Sequence, residues 1–199
     1  MERTKILVAF GDIREFTNYT RRTAPEEKRD FIRALYAEFQ KMVRPNNYFI
    51  KYDGDGIMIL KELKTSVEYE DIKPFMYRAY ALAVKIRRVI DDRYPRPAGF
   101  VLRFSMGISF KIMVKNPYGG NPKLVPEYID YPINLAKRLC EVHREELAVC
   151  TGNIGEVIRK NENGIILKPM DKPHDVPRGI DTEDVDDLFG LIVNDLDQH

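Results

Sequence analysis

An unbroken apolar run at residues 6–11 (ILVAFG) constrains the fold more than any other feature of the sequence, and Asp12 follows it directly. The apolar residues of this run do not alternate with polar ones. The run therefore predicts a central β-strand that is covered on both faces. We expect the Asp12 carboxylate to lie at the carboxyl end of that strand.

The chain up to position 95 predicts two long helices and a hairpin. A capping box at residues 23–26 (TAPE), with proline early in the first turn, starts a helix that stops at Pro45. Residues 48–52 and 57–60 flank a DGDG turn and predict a β-hairpin. Apolar residues at helical spacing within residues 75–89 indicate a second long amphipathic helix.

Residues 100–110 alternate between apolar and polar side chains, which predicts a long strand with one buried face. The other face carries Arg103, Ser105 and Ser109, and we expect it to meet solvent or a partner. The turn-forming stretch at residues 116–123 (NPYGGNPK) then predicts a protruding hairpin arm.

The last third of the chain predicts shorter elements. They are a helix at residues 131–139, a strand at 147–150, a small helix at 154–160 and a strand at 165–168. The acidic tail at residues 181–197 carries a few apolar anchors, and we expect it to form a docked helix.

Length, charge and cysteine content indicate a soluble single domain. A chain of 199 residues is expected to fold as one domain, residues 1–199, around a single core. Lys and Arg number 32 against 31 Asp and Glu, so the formal net charge of +1 gives no overall attraction to nucleic acid or to an acidic membrane. Cys140 and Cys150 lack paired spacing and are expected to be buried free thiols in a reducing compartment. No segment approaches the roughly 20 apolar residues that cross a bilayer, so we expect a cytoplasmic protein.

Asp12 and Asp55 are the candidate metal ligands. Either one alone is more simply explained as an ordinary turn or strand-end residue. Together, a carboxylate after a buried strand and one in a hairpin turn are costly unless a cation neutralises them. Carboxylate oxygens are hard ligands that suit a divalent metal. A calcium-binding EF-hand loop is rejected, because Lys64 stands where that loop needs its bidentate glutamate.

Asn134 and Arg138 are four residues apart and share one face of the predicted helix, with Glu141 a turn further. A solvated helix face is the simpler explanation, since charged residues mostly face water. An amide and a fixed cation could also act on a nucleoside triphosphate beside bound metal. Lys51 lies in a predicted apolar strand, so its ammonium group must reach the edge of the sheet or a polar partner. It is therefore a candidate hydrogen-bond donor to a nucleobase.

Three motifs in this order resemble the catalytic domain of class III nucleotidyl cyclases, the adenylate and guanylate cyclase family. They are FGDIREFT at residues 10–17, KYDGDG at residues 51–56 and YPINLAKRL at residues 131–139. The resemblance implies an α+β fold with a ferredoxin-like βαββαβ palm-type core, to which this chain adds its hairpin arm.

The resemblance also implies roles for the residues of these motifs. Asp12 and Asp55 would hold two Mg²⁺ or Mn²⁺ ions per site, with help from the backbone carbonyl of Ile13. Asn134 would position the ribose, and Arg138 would meet charge that develops in the transition state. In this family a head-to-tail homodimer builds each site from both protomers, so the metals would belong to one chain and the last two residues to the other.

Four further residues are assigned to substrate binding by the same resemblance. Lys51 and Glu127 would contact the base, and Tyr52 could narrow the base pocket, although a tyrosine in a strand is commonly a packing residue. Arg178 would take the position of a triphosphate-binding lysine. The chain departs from the family at Glu15, where the family usually has glycine in backbone that approaches the triphosphate.

The leading hypothesis is a metal-dependent nucleotidyl cyclase, a phosphorus-oxygen lyase that converts a nucleoside triphosphate to its 3′,5′-cyclic monophosphate and pyrophosphate. A standalone domain with an unusual base pocket resembles the pyrimidine cyclases of bacterial Pycsar antiphage systems, which favours UTP or CTP. The alternatives are an adenylate cyclase and a catalytically silent cyclase-homology module that binds nucleotide or a partner. A diguanylate cyclase is disfavoured by the absence of a GGDEF-like turn.

Overall fold

The computed structural model describes nine stretches of the chain. They are residues 3–43, 48–63, 69–93, 102–114, 131–142, 146–160, 164–173, 176 and 180–193. The predicted hairpin arm at residues 116–123 lies outside them, as do Glu127 and Arg178.

The described residues form seven strands and five α-helices. In chain order these are β1 (Arg3–Arg14), α1 (Phe16–Arg22), α2 (Pro25–Val43), β2 (Tyr48–Asp53), β3 (Gly56–Leu63), α3 (Tyr69–Arg93), β4 (Arg103–Val114), α4 (Tyr131–Val142), β5 (Ala148–Thr151), α5 (Gly152–Arg159), β6 (Ile165–Met170) and β7 (Leu188–Val193). A short 3-10 helix, Thr182–Asp184, precedes β7.

All seven strands belong to one sheet with the order β2-β3-β1-β4-β5-β7-β6. The pairing of β4 with β5 is parallel and the other pairings are antiparallel. The succession β1-α2-β2-β3-α3-β4 is a βαββαβ unit, with β1 flanked by β3 and β4. The prediction of an α+β, ferredoxin-like core is confirmed.

Strand β1 is buried on both faces, as its unbroken apolar run predicts. On one face Leu7 and Ala9 join a core formed with α2 and α3, and on the other Ile6 and Val8 pack beneath α4. All four side chains are fully buried. The strand continues to Arg14, however, so Asp12 is a late residue of the strand instead of the residue that follows it.

The predicted exposure of the polar face of β4 is wrong. Ser105 and Ser109 are buried, with 2% and 0% of their surface exposed, because α4 packs against this face. Gly107 lies between them, and a Cβ atom added there would come within 2.0 Å of the carbonyl oxygen of Ala136. The small side chains of β4 thus allow the backbone of α4 to approach closely.

The two serines of this interface satisfy their hydroxyl groups on the backbone of α4. Ser109 donates to the carbonyl of Pro132 at 2.6 Å, and Ser105 donates to that of Cys140 at 3.0 Å. An alternating pattern does not distinguish polar residues in water from small polar residues beneath a helix. Because α4 covers Ser105 and Ser109, this part of the face meets neither solvent nor a partner.

The prediction of a docked helix in the acidic tail is also wrong. Residues 188–193 form strand β7, which lies between β5 and β6. Five of its six residues are buried, as expected for a short apolar run inside a sheet.

Cys140 and Cys150 are buried free thiols, as predicted. Within the described stretches, no helix is both long enough and apolar enough to span a bilayer.

Candidate active site

Asp12 lies on the α4 side of the sheet, where it pairs with Ser105 of β4. Partial burial raises the pKa of the Asp12 carboxyl above its usual value of 3.8. The guanidinium of Arg14, a hydrogen bond with the backbone of Ile13 and the charge of Lys137 oppose that shift without cancelling it. A partly desolvated carboxylate of this kind gains from an added cation, so its surroundings fit a metal ligand.

Asp55 lies in the turn between β2 and β3, and the strand register brings this turn to Asp12. The last β1–β3 pair joins Gly11 to Ile57. Asp12 is the next residue along β1, and Asp55 precedes Ile57 by two residues. Asp12 and Asp55 therefore lie at the same end of one antiparallel pair.

The donor set fits a hard divalent cation. Two carboxylates and the backbone carbonyl of Ile13 are all oxygen donors of the type that Mg²⁺ and Mn²⁺ prefer. Among the residues that the structure describes, no group of three or more His, Cys, Asp or Glu side chains is arranged to hold a metal.

Tyr36 on α2 holds the turn that carries Asp55. Its hydroxyl donates to the carbonyl of Gly54 at 2.9 Å. Gly54 adopts φ of 63°, a left-handed conformation that glycine accepts without steric cost. No local pattern in the sequence predicts this contact, since it depends on α2 packing against the hairpin.

Lys51 and Tyr52 lie on opposite faces of the edge strand β2. Tyr52 stacks on Phe39 and Tyr36 of α2, with ring centroids 5.9 and 4.9 Å apart. Lys51 is exposed and pairs with Met58 of β3. Met58 pairs in turn with Phe10 of β1. Lys51 thus shares the face of Asp12, whereas Tyr52 packs on the other side, and the structure does not bring the two into one pocket.

Asn134 and Arg138 lie on the exposed side of α4. The Arg138 guanidinium forms an ion pair with Glu141 at 2.6 Å, and their side chains are 45% and 35% exposed. Such an exposed pair contributes little to stability. The arrangement leaves the amide and the guanidinium at the surface, where a second molecule could meet them.

Arg14 links the metal-site strand to α4. Its guanidinium donates to the backbone carbonyl of Cys140 near the end of that helix. Its Nε is buried and has no hydrogen-bond partner in the part of the chain that the structure describes. Sequence reasoning missed Arg14, since a lone cation after a strand carries no recognisable pattern.

Glu15 stands at the junction of β1 and α1 in the left-handed conformation, with φ 62° and ψ 10°. Across the described stretches it is the one residue other than glycine with positive φ. Its carboxylate accepts a hydrogen bond from Asn18 Nδ2 at 2.5 Å, and its carbonyl accepts one from the Tyr19 amide at 2.9 Å. The conformation explains why glycine suits this position.

We expect Glu15→Gly to be more stable than Glu15→Ala by about 1 kcal/mol. Both variants lose the contact with Asn18, but in the left-handed conformation alanine has a steric cost that glycine does not have. Chemical denaturation of the two proteins, each compared with wild type, measures the difference. An alanine variant as stable as the glycine variant would show that the junction carries no strain.

Comparison with known proteins places the chain in a family. Residues 1–113, more than half of the chain, match the model of the adenylate and guanylate cyclase catalytic domain. The chain belongs to this family. No curated protein matches this cyclase-family chain by sequence.

Solved cyclase structures share its fold. The adenylyl cyclase CyaB from P. aeruginosa is 18% identical over 97% of this chain and 96% of its own, with a TM-score of 0.73. The guanylate cyclase domain of RhGC from Catenaria anguillulae, solved with GTP, is 13% identical over 97% and 99%, with a TM-score of 0.66. A non-canonical dimeric guanylyl cyclase domain of the RhoGC fusion protein from Blastocladiella emersonii is 17% identical over 86% of this chain and 91% of its own, with a TM-score of 0.61. The predicted class III cyclase fold is confirmed.

Proposed function

We propose that this cyclase-family protein is a metal-dependent nucleotidyl cyclase. It converts a nucleoside triphosphate to the 3′,5′-cyclic monophosphate and pyrophosphate. The observation that carries the proposal is the strand register, which brings Asp12 and Asp55 to one end of the β1–β3 pair in a chain of this family.

The reaction forms a bond between the ribose O3′ and the α-phosphorus and breaks the bond to the β-phosphate. The 3′-hydroxyl proton is lost and pyrophosphate leaves. A divalent ion, when bound, activates the hydroxyl and neutralises phosphate charge. Asp12, Asp55 and the carbonyl of Ile13 would hold it, because they present oxygen donors at the end of the sheet.

We propose that the active form is a homodimer in which the two chains share each site. Asn134 and Arg138 are exposed on α4, and among the described residues Arg138 is held by an exposed ion pair with Glu141. In a partner's site, Asn134 would orient the ribose. Arg138 would meet charge on the α-phosphate and the leaving pyrophosphate, where a positioned cation acts most strongly. The RhoGC domain forms a dimer described as non-canonical, which supports dimerisation in this fold but not this particular sharing of sites.

We propose a pyrimidine triphosphate, UTP or CTP, as the substrate, with a role in antiphage signalling. Lys51 is exposed on the Asp12 side of the sheet, which suits a donor to a base bound beside the metals. Glu127 is its proposed partner and Arg178 the proposed triphosphate contact. Adenylate cyclase activity is the alternative within the same chemistry.

A catalytically silent module is the second candidate, and Glu15 favours it. Its exposed carboxylate stands in backbone that would approach the triphosphate, where a negative charge repels phosphate. A protein of this kind would bind nucleotide or a partner without turnover.

The test is to incubate the purified protein with ATP, GTP, CTP or UTP and either Mg²⁺ or Mn²⁺, and to separate the products by chromatography. We expect cyclic UMP or cyclic CMP, together with pyrophosphate, and none with Asp12→Asn. Cyclic AMP from ATP alone would replace the pyrimidine assignment with adenylate cyclase. Binding of nucleotide in calorimetry, with no product under any condition, would establish the silent module instead.

A further inference from the structure

The turn that carries Asp55 has a sequence that suits two different backbone forms. The last pair of the β2–β3 ladder joins Asp53 to Gly56, so Gly54 and Asp55 are the central residues of a two-residue turn. Such hairpins use turns of type I′ or type II′, and both have positive φ at the first central residue. Glycine accepts positive φ without steric cost, and aspartate tolerates it better than most residues. The sequence of the turn therefore does not decide its form.

The φ values of the turn match type II′. The φ of Gly54 is 63°, and that of Asp55 is not positive. Positive φ at the first central residue alone is the mark of type II′, whereas type I′ has positive φ at both. The two forms differ in the orientation of the peptide group between the central residues. A change of form would turn the Gly54 carbonyl to the other side of the turn and change the direction of the Asp55 side chain.

Tyr36 of α2 bonds to the carbonyl group whose direction distinguishes the two forms. Its hydroxyl donates to the Gly54 carbonyl at 2.9 Å. The Tyr36 ring packs on Phe39 and Tyr52, with ring centroids 6.0 and 4.9 Å apart. Phe39 is fully buried, so the Tyr36 ring is fixed against the core. A flipped peptide would turn its carbonyl away from the hydroxyl, and the hydrogen bond therefore favours type II′.

We propose that Tyr36 is a positioning residue for the metal site, which holds the Gly54–Asp55 peptide in the type II′ form and so sets the direction of the Asp55 carboxylate. The inference rests on the proposed function, because it takes Asp55 as a metal ligand. Tyr36 itself contacts neither metal nor substrate. It raises metal affinity by keeping the turn in the binding form, since a form that is only partly populated binds with a proportionally higher apparent Kd.

A purely structural role for the hydroxyl is the simpler explanation, and the exposure of the turn argues against it. Gly54 is exposed, so its carbonyl would bond to water in a protein without the hydroxyl, and no buried polar group would lose its partner. The stacked rings of Tyr36 and Tyr52 keep the hairpin against α2 with or without that hydroxyl. What the hydroxyl adds is the orientation of one peptide group.

Tyr36→Phe removes the hydroxyl and keeps the ring stack. In calorimetric titration of nucleotide-free protein with Mn²⁺, we expect the Kd of the variant to be about two- to fivefold higher than that of wild type. One hydrogen bond changes the ratio of the two turn forms by up to about that factor. The kcat at saturating Mn²⁺ should stay within about twofold of wild type, because excess metal draws the turn back to the binding form.

Gly54→Asn tests the turn itself. Type II′ calls for glycine at this position, whereas asparagine is favoured there in type I′. A Cβ atom added at Gly54 would have no atom within 4 Å, so the substitution acts through the backbone and not through a clash. We expect Kd for Mn²⁺ to rise on the order of tenfold. Adding Tyr36→Phe to this variant should have no further effect on Kd, because the carbonyl that Tyr36 holds has already turned away.

Tyr131→Phe is the matched control, since it removes a tyrosine hydroxyl at the other end of the sheet. That hydroxyl makes two hydrogen bonds of 2.6 Å with the segment before β7. The ring lies 5.2 Å from the ammonium of Lys111, which pairs with the end of β1 opposite to Asp12. The control should lower the free energy of unfolding at least as much as Tyr36→Phe and leave the Kd for Mn²⁺ unchanged.

The Mn²⁺ titrations separate failure of this inference from failure of the proposed function. An unchanged Kd in Tyr36→Phe, or an equal rise in Tyr131→Phe, would overturn the positioning role while metal binding by wild type stands. A Tyr36→Phe effect that persists in full beside Gly54→Asn would overturn it as well. A wild-type protein that binds no Mn²⁺ would instead overturn the metal-dependent function on which the inference rests.

Discussion

Asp12→Asn and Asp55→Asn are each expected to lower kcat/KM by about 10³-fold or more. A metal ion contributes several kcal/mol to transition-state stabilisation, and each 1.36 kcal/mol corresponds to a tenfold change in rate. Asparagine keeps the size of the side chain and removes the charge that holds the ion. Steady-state assays with each variant at saturating Mg²⁺ or Mn²⁺ measure the loss.

Although Asp12→Asn lowers activity, we expect it to make the metal-free protein more stable. Because burial raises its pKa above 3.8, the carboxyl ionises more easily in the unfolded chain than in the folded one. The folded state therefore pays a penalty that appears as the pH rises through and above 3.8 and is absent below it. In metal-free protein at pH 7, Asp12→Asn should raise the free energy of unfolding, whereas Asp92→Asn at an exposed position of α3 should not change it.

Bound metal should make wild type more stable than Asp12→Asn. An ion that binds the folded protein stabilises it by about 2.7 kcal/mol when its concentration is 100 times Kd. We expect Mn²⁺ to raise the Tm of wild type and to have much less effect on Asp12→Asn. A variant that is inactive, less stable than wild type without metal and equally stabilised by Mn²⁺ would assign Asp12 a structural role instead.

The parts of the fold that the sequence predicted correctly depend on local signals. A short apolar run without alternation, as at residues 6–11, is typical of a strand buried on both faces. The DGDG turn joins its two flanking strands by short-range geometry. The strand register that brings Asp12 to Asp55 follows from these two elements pairing with each other. The positions of Asp12 and Asp55 in the fold were therefore within reach of the sequence, whereas their role as metal ligands stays a prediction.

The features of the structure that the sequence did not predict depend on which helices and strands pack against each other. Ser105 and Ser109 lie beneath α4, whose position over β4 no local pattern specifies. The contact of Tyr36 with Gly54 requires α2 to pack against the hairpin, and the bonds of Tyr131 join residues some 50 positions apart in the chain. In the tail, the acidic residues before Leu188 obscured an apolar stretch that the sheet buries.

Mixing two inactive variants should restore activity if each site is shared between chains. Arg138→Ala is expected to lower kcat on the order of 10²-fold, the loss typical when a donor to developing negative charge is removed. In a heterodimer of Arg138→Ala and Asp55→Asn, one site receives both defects and the other receives neither. With random assembly of equal amounts, half of the dimers carry one intact site, so about one quarter of wild-type activity should return.

The control places both substitutions in one chain. Asp55→Asn combined with Arg138→Ala damages both sites of any dimer it forms with wild type, because each site takes its metal ligands from one chain and its arginine from the other. Excess double variant should therefore suppress wild-type turnover per wild-type chain. If Arg138 serves its own chain, wild-type activity would survive the excess and the two single variants would not rescue each other. The exposed ion pair of Arg138 with Glu141 favours the shared site, because a surface ion pair yields readily to a phosphate.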